Sequence, residues 1–210
     1  MSDGLAVRKF QAQFGVSRET IDRFSLCEAL IQKWNSAINL IAKSTLDDIW
    51  QRHFTDSAAA YQVADPRSGL WVDLGTGGGF PGLVVAILAS ELAPDLSVTC
   101  IESDIRKCEF LRTTARNLGL SVGIISRRIE ETPPQEAQFV SARALAPLSR
   151  LLDHAHRHIA NDGCAILLKG ETWRAEVETA LESWRFTVEN HASPTNPGAA
   201  ILKIGNLARA

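Results

Sequence analysis

A glycine-rich segment, WVDLGTGGGFPGL from 71 to 83, combines residue types that bind nucleotide cofactors. In one register, Gly77 to Gly82 match the GxGxxG pattern of dinucleotide-binding turns, and Glu102 follows 20 residues later, where a ribose-binding acid is expected. Two residues argue against that register. Asp73 separates the apolar strand from the glycines, and Pro81 removes an N–H group where a pyrophosphate would bind. The loop therefore favours a ligand group other than phosphate.

A second register of the same segment fits a different cofactor. Asp73, Gly75 and Gly77 form the D-x-G-x-G pattern of S-adenosylmethionine-dependent methyltransferases, in which glycines let the backbone approach the methionine and ribose. Asp73 would orient the cofactor's ammonium group directly or through water. Glu102 suits either cofactor, because a carboxylate can accept hydrogen bonds from two ribose hydroxyls. These residues indicate a nucleoside ligand and leave both cofactors open.

The elements that must position this loop follow from the spacing of apolar residues. Residues 1–65 predict a helical N-terminal extension, with one helix capped by Ser17 and another that begins near Thr45. From 66 to 210, strands alternate with helices, which predicts an α/β domain with a doubly wound, mostly parallel sheet. The strands are predicted at 70–74, 96–102, 122–126, 137–142, 164–169, 186–190 and 199–205, and the helices at 82–93, 104–120, 147–160 and 172–183. No helix fits between the final two strands, so the last strand should run antiparallel.

Composition sets limits on location and partners. The 210 residues carry a formal net charge of -2, so an RNA partner would need a local basic face. The four cysteines lie far apart without a CxxC pair, which is typical of a reducing cytosol. The sequence has no signal peptide pattern and no membrane-spanning apolar run. We expect a cytoplasmic monomer that has no membrane partner.

Seven segments occur together with the residues and in the order of one known family. They are WNSAINL (34–40), RHFTDS (52–57), VDLGTGGGFPGL (72–83), ESDIRKCEFLR (102–112), RIEE (128–131), SARALAPL (141–148) and LLKG (167–170). In these segments the chain resembles the small-subunit ribosomal RNA guanine-N7 methyltransferases, the RsmG or glucose-inhibited division protein B family. The resemblance implies a class I methyltransferase sheet of seven strands, S-adenosylmethionine as donor, and a guanine of 16S ribosomal RNA or the small ribosomal subunit as acceptor.

The resemblance also implies where the cofactor contacts lie. Carried over by position, they fall on Gly75, Phe80, Ile129, Glu130 and Arg143, with the ribose on Glu102. An aliphatic side chain at 129 would pack on the adenine face while backbone groups read its edge. Together with the residues of the D-x-G-x-G register, the candidate cofactor-binding set is Asp73, Gly75, Gly77, Phe80, Glu102, Ile129, Glu130 and Arg143.

The residues after the fourth strand bear on the reaction type. Methylation of an exocyclic amine usually involves a D/N-P-P-Y/F tetrapeptide there, whereas this chain has Ser141-Ala142-Arg143-Ala144. Guanine N7 already has an available lone pair, so its methylation needs no general base, and positioning should supply most of the catalysis. We expect Arg143 to be the catalytic residue that holds the guanine, through O6 or a phosphate, or the methionine carboxylate.

Five basic residues are candidates for RNA contacts, because they fall where the strands of a doubly wound fold end. They are Arg106, Lys107, Arg127, Arg128 and Lys169. Arg52 and His53 are expected to hold the helical extension on the sheet instead. The run HAHRH, from His154 to His158, is expected to be a solvated helix face and not a metal site, since only two of its histidines share a face.

Three alternatives to the RNA methyltransferase remain open from the sequence. One is a methyltransferase for another nucleic acid or a small molecule, and another is an NAD-dependent oxidoreductase that uses the GxGxxG register. The third is a binding module without catalytic activity that assembles on ribosomes. Binding of S-adenosylhomocysteine without a response to NAD would separate the methyltransferases from the oxidoreductase.

Overall fold

The N-terminal region is helical, as predicted, but its helices differ in detail. The computed structural model describes residues 4–210, so residues 1–3 of the predicted extension lie outside it. The elements are α1 (Gly4–Phe14), α2 (Arg18–Asn35), a 3-10 turn (Lys43–Thr45), a π-helical turn (Ile49–Phe54) and α3 (Thr55–Ala64). The Ser17 side chain caps α2 by accepting from the Thr20 N–H at 3.2 Å. The sequence reasoning missed α1, and the single helix predicted from Thr45 is interrupted.

The remaining residues form the predicted alternation of strands and helices. Its elements are β1 (Ser68–Leu74), α4 (Gly82–Leu92), β2 (Asp95–Glu102), α5 (Ile105–Asn117), β3 (Val122–Ser126), a 3-10 turn (Ile129–Glu131), β4 (Ala137–Arg143), α6 (Leu148–His158), β5 (Ile159–Lys169), α7 (Trp173–Ala180), β6 (Trp184–Ala192) and β7 (Ala200–Arg209). The predicted bounds match the structure for β3 and differ by one residue for β2 and β4. They are worst for β5, which begins five residues before the predicted start at Cys164.

The strands form one sheet in the order β3-β2-β1-β4-β5-β7-β6. β1 pairs in parallel with β2 and β4, β2 with β3, and β4 with β5. β7 is antiparallel to both β5 and β6, so the predicted antiparallel last strand is confirmed. The carboxyl ends of β1, β2, β4 and β5 therefore meet at one edge of the sheet, where doubly wound folds bind ligands.

The N-terminal helices pack against the face of the sheet that also carries α4 and α5, while α6 and α7 cover the other face. An aromatic cluster of Phe10, Phe24, Trp50 and Phe54 joins these helices, with ring centroids 4.9 to 5.9 Å apart. The same buried cluster continues into α4. Among residues 4–210, no helix combines the length and the apolar character needed to cross a bilayer. The division into domains 1–65 and 66–210 stays a prediction.

We expect Phe24→Ala to lower the free energy of unfolding by about 3 to 5 kcal/mol, because it opens a cavity in the fully buried aromatic cluster. Since that cluster is continuous with the core under the sheet, the whole chain should still unfold in one transition at a lower urea concentration. Circular dichroism and tryptophan fluorescence would follow it.

Leu26→Ala on the same helix is the control, because Leu26 is 41% exposed and its loss should change stability little. The shared core would be contradicted if Phe24→Ala produced a separate early transition and left the main one unmoved.

Candidate functional site

The glycine-rich loop turns sharply over the end of β2. The backbone N–H groups of Gly75 and Thr76 both donate to the Ile101 carbonyl, at 2.9 and 3.2 Å. Gly75 and Gly77 have φ values of 62° and 58°, a region that a residue with a side chain rarely adopts. The turn thus exposes backbone, and not side chains, toward the carboxyl edge of the sheet.

Asp73 lies beneath this loop and is fully buried. Its Oδ2 accepts from the Gly82 N–H at 2.9 Å, and its Oδ1 accepts from the Ser141 hydroxyl at 2.7 Å. Ser141 in turn accepts from the Trp71 indole at 2.8 Å. Burial raises the pKa of the Asp73 carboxyl from 3.8 to about 6, although these hydrogen bonds act in the opposite direction. The carboxylate joins β1, β4 and the start of α4.

The position of Asp73 differs from the sequence prediction. Its hydrogen-bonded oxygens point into the protein, and Asp73 is not among the residues that line the cavity beside the loop. Close packing explains the orientation: a Cβ atom on Gly82 would lie 2.9 Å from Asp73 Oδ2 and 2.5 Å from Cys100 Sγ. Asp73 supports the loop from below, and its contact with a cofactor stays a prediction.

The N-terminal region supports the loop from the other side. The side chain of Asn35 accepts from the N–H groups of Leu40 and Ile41, at 2.8 and 3.0 Å, and so fixes the turn after α2. This turn places the Leu40 carbonyl where it would be 2.9 Å from a Cβ atom on Gly78. The absence of a side chain at Gly78 allows the extension to approach the loop this closely.

Glu102, at the end of β2, stands beside the loop. Its two carboxylate oxygens accept from the N–H groups of Gly77 and Asp104, each at 2.9 Å. Asp104 also caps α5, where it accepts from the N–H groups of Arg106 and Lys107. The Glu102 carboxylate is therefore held in one orientation at the edge of the adjoining cavity.

This first cavity, of about 400 Å³, brings together most of the predicted cofactor residues. It is lined by Gly75, Gly77, Glu102, Ile129, Glu130 and Arg143, and also by Lys107, Arg127 and Arg128. The sequence reasoning missed Leu145, Ala146, Arg150 and His154 in the lining. Arg150 and His154 belong to α6. They reach the first cavity because α6 packs against the sheet.

The far wall of the first cavity is fixed by a buried histidine. His158 Nε2 lies 3.1 Å from the Ile129 carbonyl, and burial lowers the pKa of this imidazole. His158 is thus fully buried, and the predicted solvated HAHRH face is wrong for this residue. Within the described part of the chain, no three or more metal-ligating side chains are arranged around a common point.

Arg143 ends β4 and lies on the boundary between two cavities. Its guanidinium stacks over the Phe80 ring at 4.8 Å from the centroid. Burial lowers the pKa of Arg143 to about 10, and the carboxylates of Asp56 and Asp73 oppose that shift. An arginine with this pKa remains charged at neutral pH.

Phe80 supports Arg143 and does not line the first cavity. It is 4% exposed and packs against His53, with centroids 5.0 Å apart. His53 also contacts Thr45 Oγ1 at 2.8 Å, and burial lowers its pKa to about 3, so the ring is neutral. His53 therefore packs the extension against the loop, as the sequence predicted.

A second cavity, of about 300 Å³, adjoins the first. Its lining includes Arg52 and Asp56 from the N-terminal region, Arg143 and Ala144 at the end of β4, and Ser193, Thr195 and Asn196 between β6 and β7. Asp56 Oδ1 accepts from the hydroxyls of Ser193 and Thr195, each at 2.8 Å. Arg52 was expected to pin the extension, but it is exposed and lines this cavity. Sequence reasoning did not single out Asp56, whose hydrogen-bond partners lie 137 and 139 residues further along the chain.

The predicted RNA-binding residues separate into two groups. Lys107, Arg127 and Arg128 line the first cavity, and Arg106 is exposed beside it, 3.6 Å from Asp104. Lys169 differs, because its side chain is 9% exposed and its ammonium pairs with Glu176 at 2.7 Å. It also donates to the Ala146 carbonyl at 3.0 Å. Lys169 holds the segment after β4 against α7, so its ammonium is not available to a phosphate in this geometry.

The family model of GidB, described as rRNA small subunit methyltransferase G, matches residues 21–199. The chain belongs to this family. A relative from a Ruegeria species, named Ribosomal RNA small subunit methyltransferase G, is 46% identical over 209 residues, with 100% of both chains covered. One of the same name from a Jannaschia species is 49% identical over 188 residues, which cover 90% of this chain and 89% of the relative.

Solved structures agree with the fold of a GidB family member. A methyltransferase from Pyrococcus furiosus matches with a TM-score of 0.57 at 13% identity, over 87% of this chain and 96% of that one. TYW2 from M. jannaschii, solved in complex with AdoMet, matches with a TM-score of 0.55 at 13% identity, over 83% and 78%. The predicted class I methyltransferase fold and the predicted family are confirmed, and the oxidoreductase reading of the glycine loop is set aside.

We expect the cost of Asp73→Asn to depend on pH. The pKa of Asp73 is raised from 3.8 to about 6 in the folded protein, so folding takes up a proton between these two pH values. The contribution of Asp73 to the free energy of unfolding therefore falls as the pH rises through this range. The neutral Asn lacks this dependence. Urea unfolding should therefore show that the substitution costs roughly 1 kcal/mol more at pH 5 than at pH 8.

Asp162→Asn provides the control, because Asp162 is exposed and its substitution should have the same small effect at both pH values. An equal cost of Asp73→Asn at pH 5 and pH 8 would show that the buried carboxyl does not titrate as described.

Proposed function

We propose that this chain transfers a methyl group from S-adenosylmethionine to N7 of a guanine in 16S ribosomal RNA. The observation that carries the proposal is the pair of adjoining cavities at the carboxyl edge of a methyltransferase sheet, with Arg143 between them, in a member of the GidB family. One cavity suits a nucleoside cofactor. The other leaves room for an acceptor beside it.

The residues of the first cavity fit S-adenosylmethionine. The exposed backbone at Gly75 and Gly77 permits close approach of the ribose and methionine portions, and the fixed Glu102 carboxylate can accept from ribose hydroxyls. Ile129 offers an aliphatic surface for the adenine. A hydrogen bond from its own backbone lowers the pKa of Glu130, and the charges of neighbouring basic residues act in the same direction against the effect of burial, so Glu130 is anionic beside it.

Asp73 and Phe80 serve the cofactor indirectly in this proposal. Asp73 holds the start of α4 and the end of β4 together, and Phe80 supports the Arg143 guanidinium. Both residues are positioning residues. The expected direct contact of either with the cofactor has no support from the cavity lining.

The chemistry asks little of the protein beyond alignment. S-adenosylmethionine supplies an electrophilic methyl group, and guanine N7 supplies the lone pair, so the chain needs no general base. Arg143 can donate to guanine O6 or to a phosphate and leave N7 free to react. It lies where it can contact both cofactor and base, which makes it the proposed catalytic residue.

The RNA is held by a local basic surface around the first cavity, in keeping with the net charge of -2 for the whole chain. The proposed phosphate contacts are Arg106, Lys107, Arg127 and Arg128, together with Arg150. We further propose that the protein acts in the cytoplasm as a monomer without a membrane partner. The wide spacing of its four cysteines and the large size of the proposed RNA partner support this.

Incubation with methyl-labelled S-adenosylmethionine tests the function. Naked 16S ribosomal RNA, a partly assembled particle and the small subunit would each be offered, and the product would be mapped by cleavage specific for 7-methylguanine. We expect one labelled guanine in at least one substrate. Label at another atom, or cofactor binding with no labelled RNA, would overturn the proposal in favour of another methyltransferase or a ribosome-binding module.

In that assay, Arg143→Ala should reduce kcat/KM about 100-fold, because alignment of the base is lost. Arg143→Lys should recover part of the rate, since lysine keeps the charge but not the planar fork. Calorimetry with S-adenosylhomocysteine would show which partner Arg143 holds. Arg116→Ala, at an exposed position at the far end of α5, is the control. Near-normal turnover of Arg143→Ala in a folded protein would refute the assignment.

RNA binding should also depend on salt through individual side chains. We expect Arg128→Ala to weaken binding and to reduce the slope of log K against log salt by about one, as the loss of one phosphate contact predicts. Filter binding at several salt concentrations would measure it. Arg185→Ala at the start of β6, near the opposite edge of the sheet, should leave the slope unchanged. Equal slopes for wild type and Arg128→Ala would remove Arg128 from the RNA surface.

A further inference from the structure

The second cavity begins where the first one ends, and Arg143 and Ala144 line both. We propose that this cavity is the guanine pocket, in which the Asp56 carboxylate accepts hydrogen bonds from N1–H and from the N2 amine of the target base. The inference rests on the proposed function, because it assigns a place to the acceptor of that reaction.

The Asp56 carboxylate is prepared for such a role. Its Oδ1 is fixed by the Ser193 and Thr195 hydroxyls, each at 2.8 Å, so the group cannot rotate freely. Among the described residues, no hydrogen-bond donor to Oδ2 is found, and Asp56 is half-buried in the cavity wall. A carboxylate that is locked on one side and open on the other is a preorganised acceptor.

This acceptor matches guanine among the four RNA bases. Guanine alone presents two adjacent donors, N1–H and the N2 amine, on its Watson–Crick edge, and a carboxylate can accept from both. Adenine and cytosine place an unprotonated ring nitrogen next to their amine, and uracil places its one N–H between two carbonyls. Each of these would set an acceptor against Asp56.

The arrangement also directs N7. N7 lies on the side of guanine away from the N2 amine, and O6 lies between N1 and N7, so a base held by Asp56 presents N7 across the cavity with O6 beside it. Arg143 lies on the wall that the two cavities share, where it can donate to O6. The size of the cavity, about 300 Å³, lies at the lower end of the range usual for small-ligand sites.

Asp56 should bind the transition state more tightly than the substrate. As the N7 lone pair forms the bond to the methyl carbon, the bond from that carbon to sulfur breaks, and sulfur keeps its electron pair. The positive charge passes from sulfur to the base, and no proton is transferred. A developing charge on guanine makes N1–H a stronger donor, so its bond to a carboxylate strengthens during the reaction.

The charges around the pocket fit this balance. Arg143 brings a positive charge near a base that becomes cationic. Burial lowers the pKa of Arg143, and Asp56 is the carboxylate that opposes this shift most. Lys169 also lines the cavity, but its ammonium is paired with Glu176. Arg52 is exposed at the cavity and can contact the phosphate of the bound nucleotide. The pocket thus combines the Asp56 carboxylate with the cations of Arg143 and Arg52.

A base-substitution assay tests the pocket. 16S ribosomal RNA would be transcribed with a small fraction of inosine, which lacks the N2 amine, and offered naked and assembled into small subunits. After reaction with labelled donor, the ratio of labelled 7-methylinosine to 7-methylguanosine gives the preference in kcat/KM by internal competition. We expect wild type to disfavour inosine about 10-fold or more, and Asp56→Asn to lose most of that preference together with about 10- to 100-fold in kcat/KM.

Thr195→Val is the matched control, because it removes one hydroxyl from Asp56 and keeps the carboxylate. Whatever its rate, its inosine ratio should stay near the wild-type value. An unchanged ratio in Asp56→Asn, or a wild-type ratio equal to the inosine content of the RNA, would overturn the guanine pocket. Absence of labelled 7-methylguanosine with wild type would instead overturn the proposed function.

Discussion

The carboxylate of Asp73 is fully buried, and its hydrogen bonds to Gly82 and Ser141 connect β1 with the start of α4 and with β4. Burial of this charge is costly, as its raised pKa shows, so each hydrogen bond it accepts matters. Gly82 sets the start of α4 and the end of the glycine loop. Ser141 sets β4 two residues before Arg143. The positions of the loop and of Arg143 therefore depend on the same group.

The N-terminal helices complete the site as well as covering the sheet. The Leu40 turn supports the glycine loop, His53 supports Phe80, and Asp56 forms part of the second cavity. The first cavity is lined only by residues between Gly75 and His154, from strand ends, loops and helices of the α/β part of the chain, as in other doubly wound folds. The second cavity needs residues from both parts of the chain, and the segment RHFTDS supplies Arg52 and Asp56 to its lining.

Sequence reasoning succeeded where backbone position decides the outcome. Gly75, Gly77 and Glu102 line the first cavity because they follow strand ends, and strand ends are readable from apolar periodicity. It failed where a distant partner decides the direction of a side chain. Lys169 was predicted to face RNA, but Glu176 on the following helix binds its ammonium. His158 was predicted to face solvent, but the Ile129 carbonyl draws it inside.

The order of the strands has a consequence for synthesis of the chain. β7 is the last strand to be made, yet it lies between β5 and β6, so the sheet cannot assemble from one side in chain order. The two hydroxyls that bind Asp56 come 137 and 139 residues after it, immediately before β7. A nascent chain can bury its first four strands while still attached to a translating ribosome. It cannot form the second cavity until translation is nearly finished, so the proposed guanine pocket is the last part of the site that the growing chain acquires.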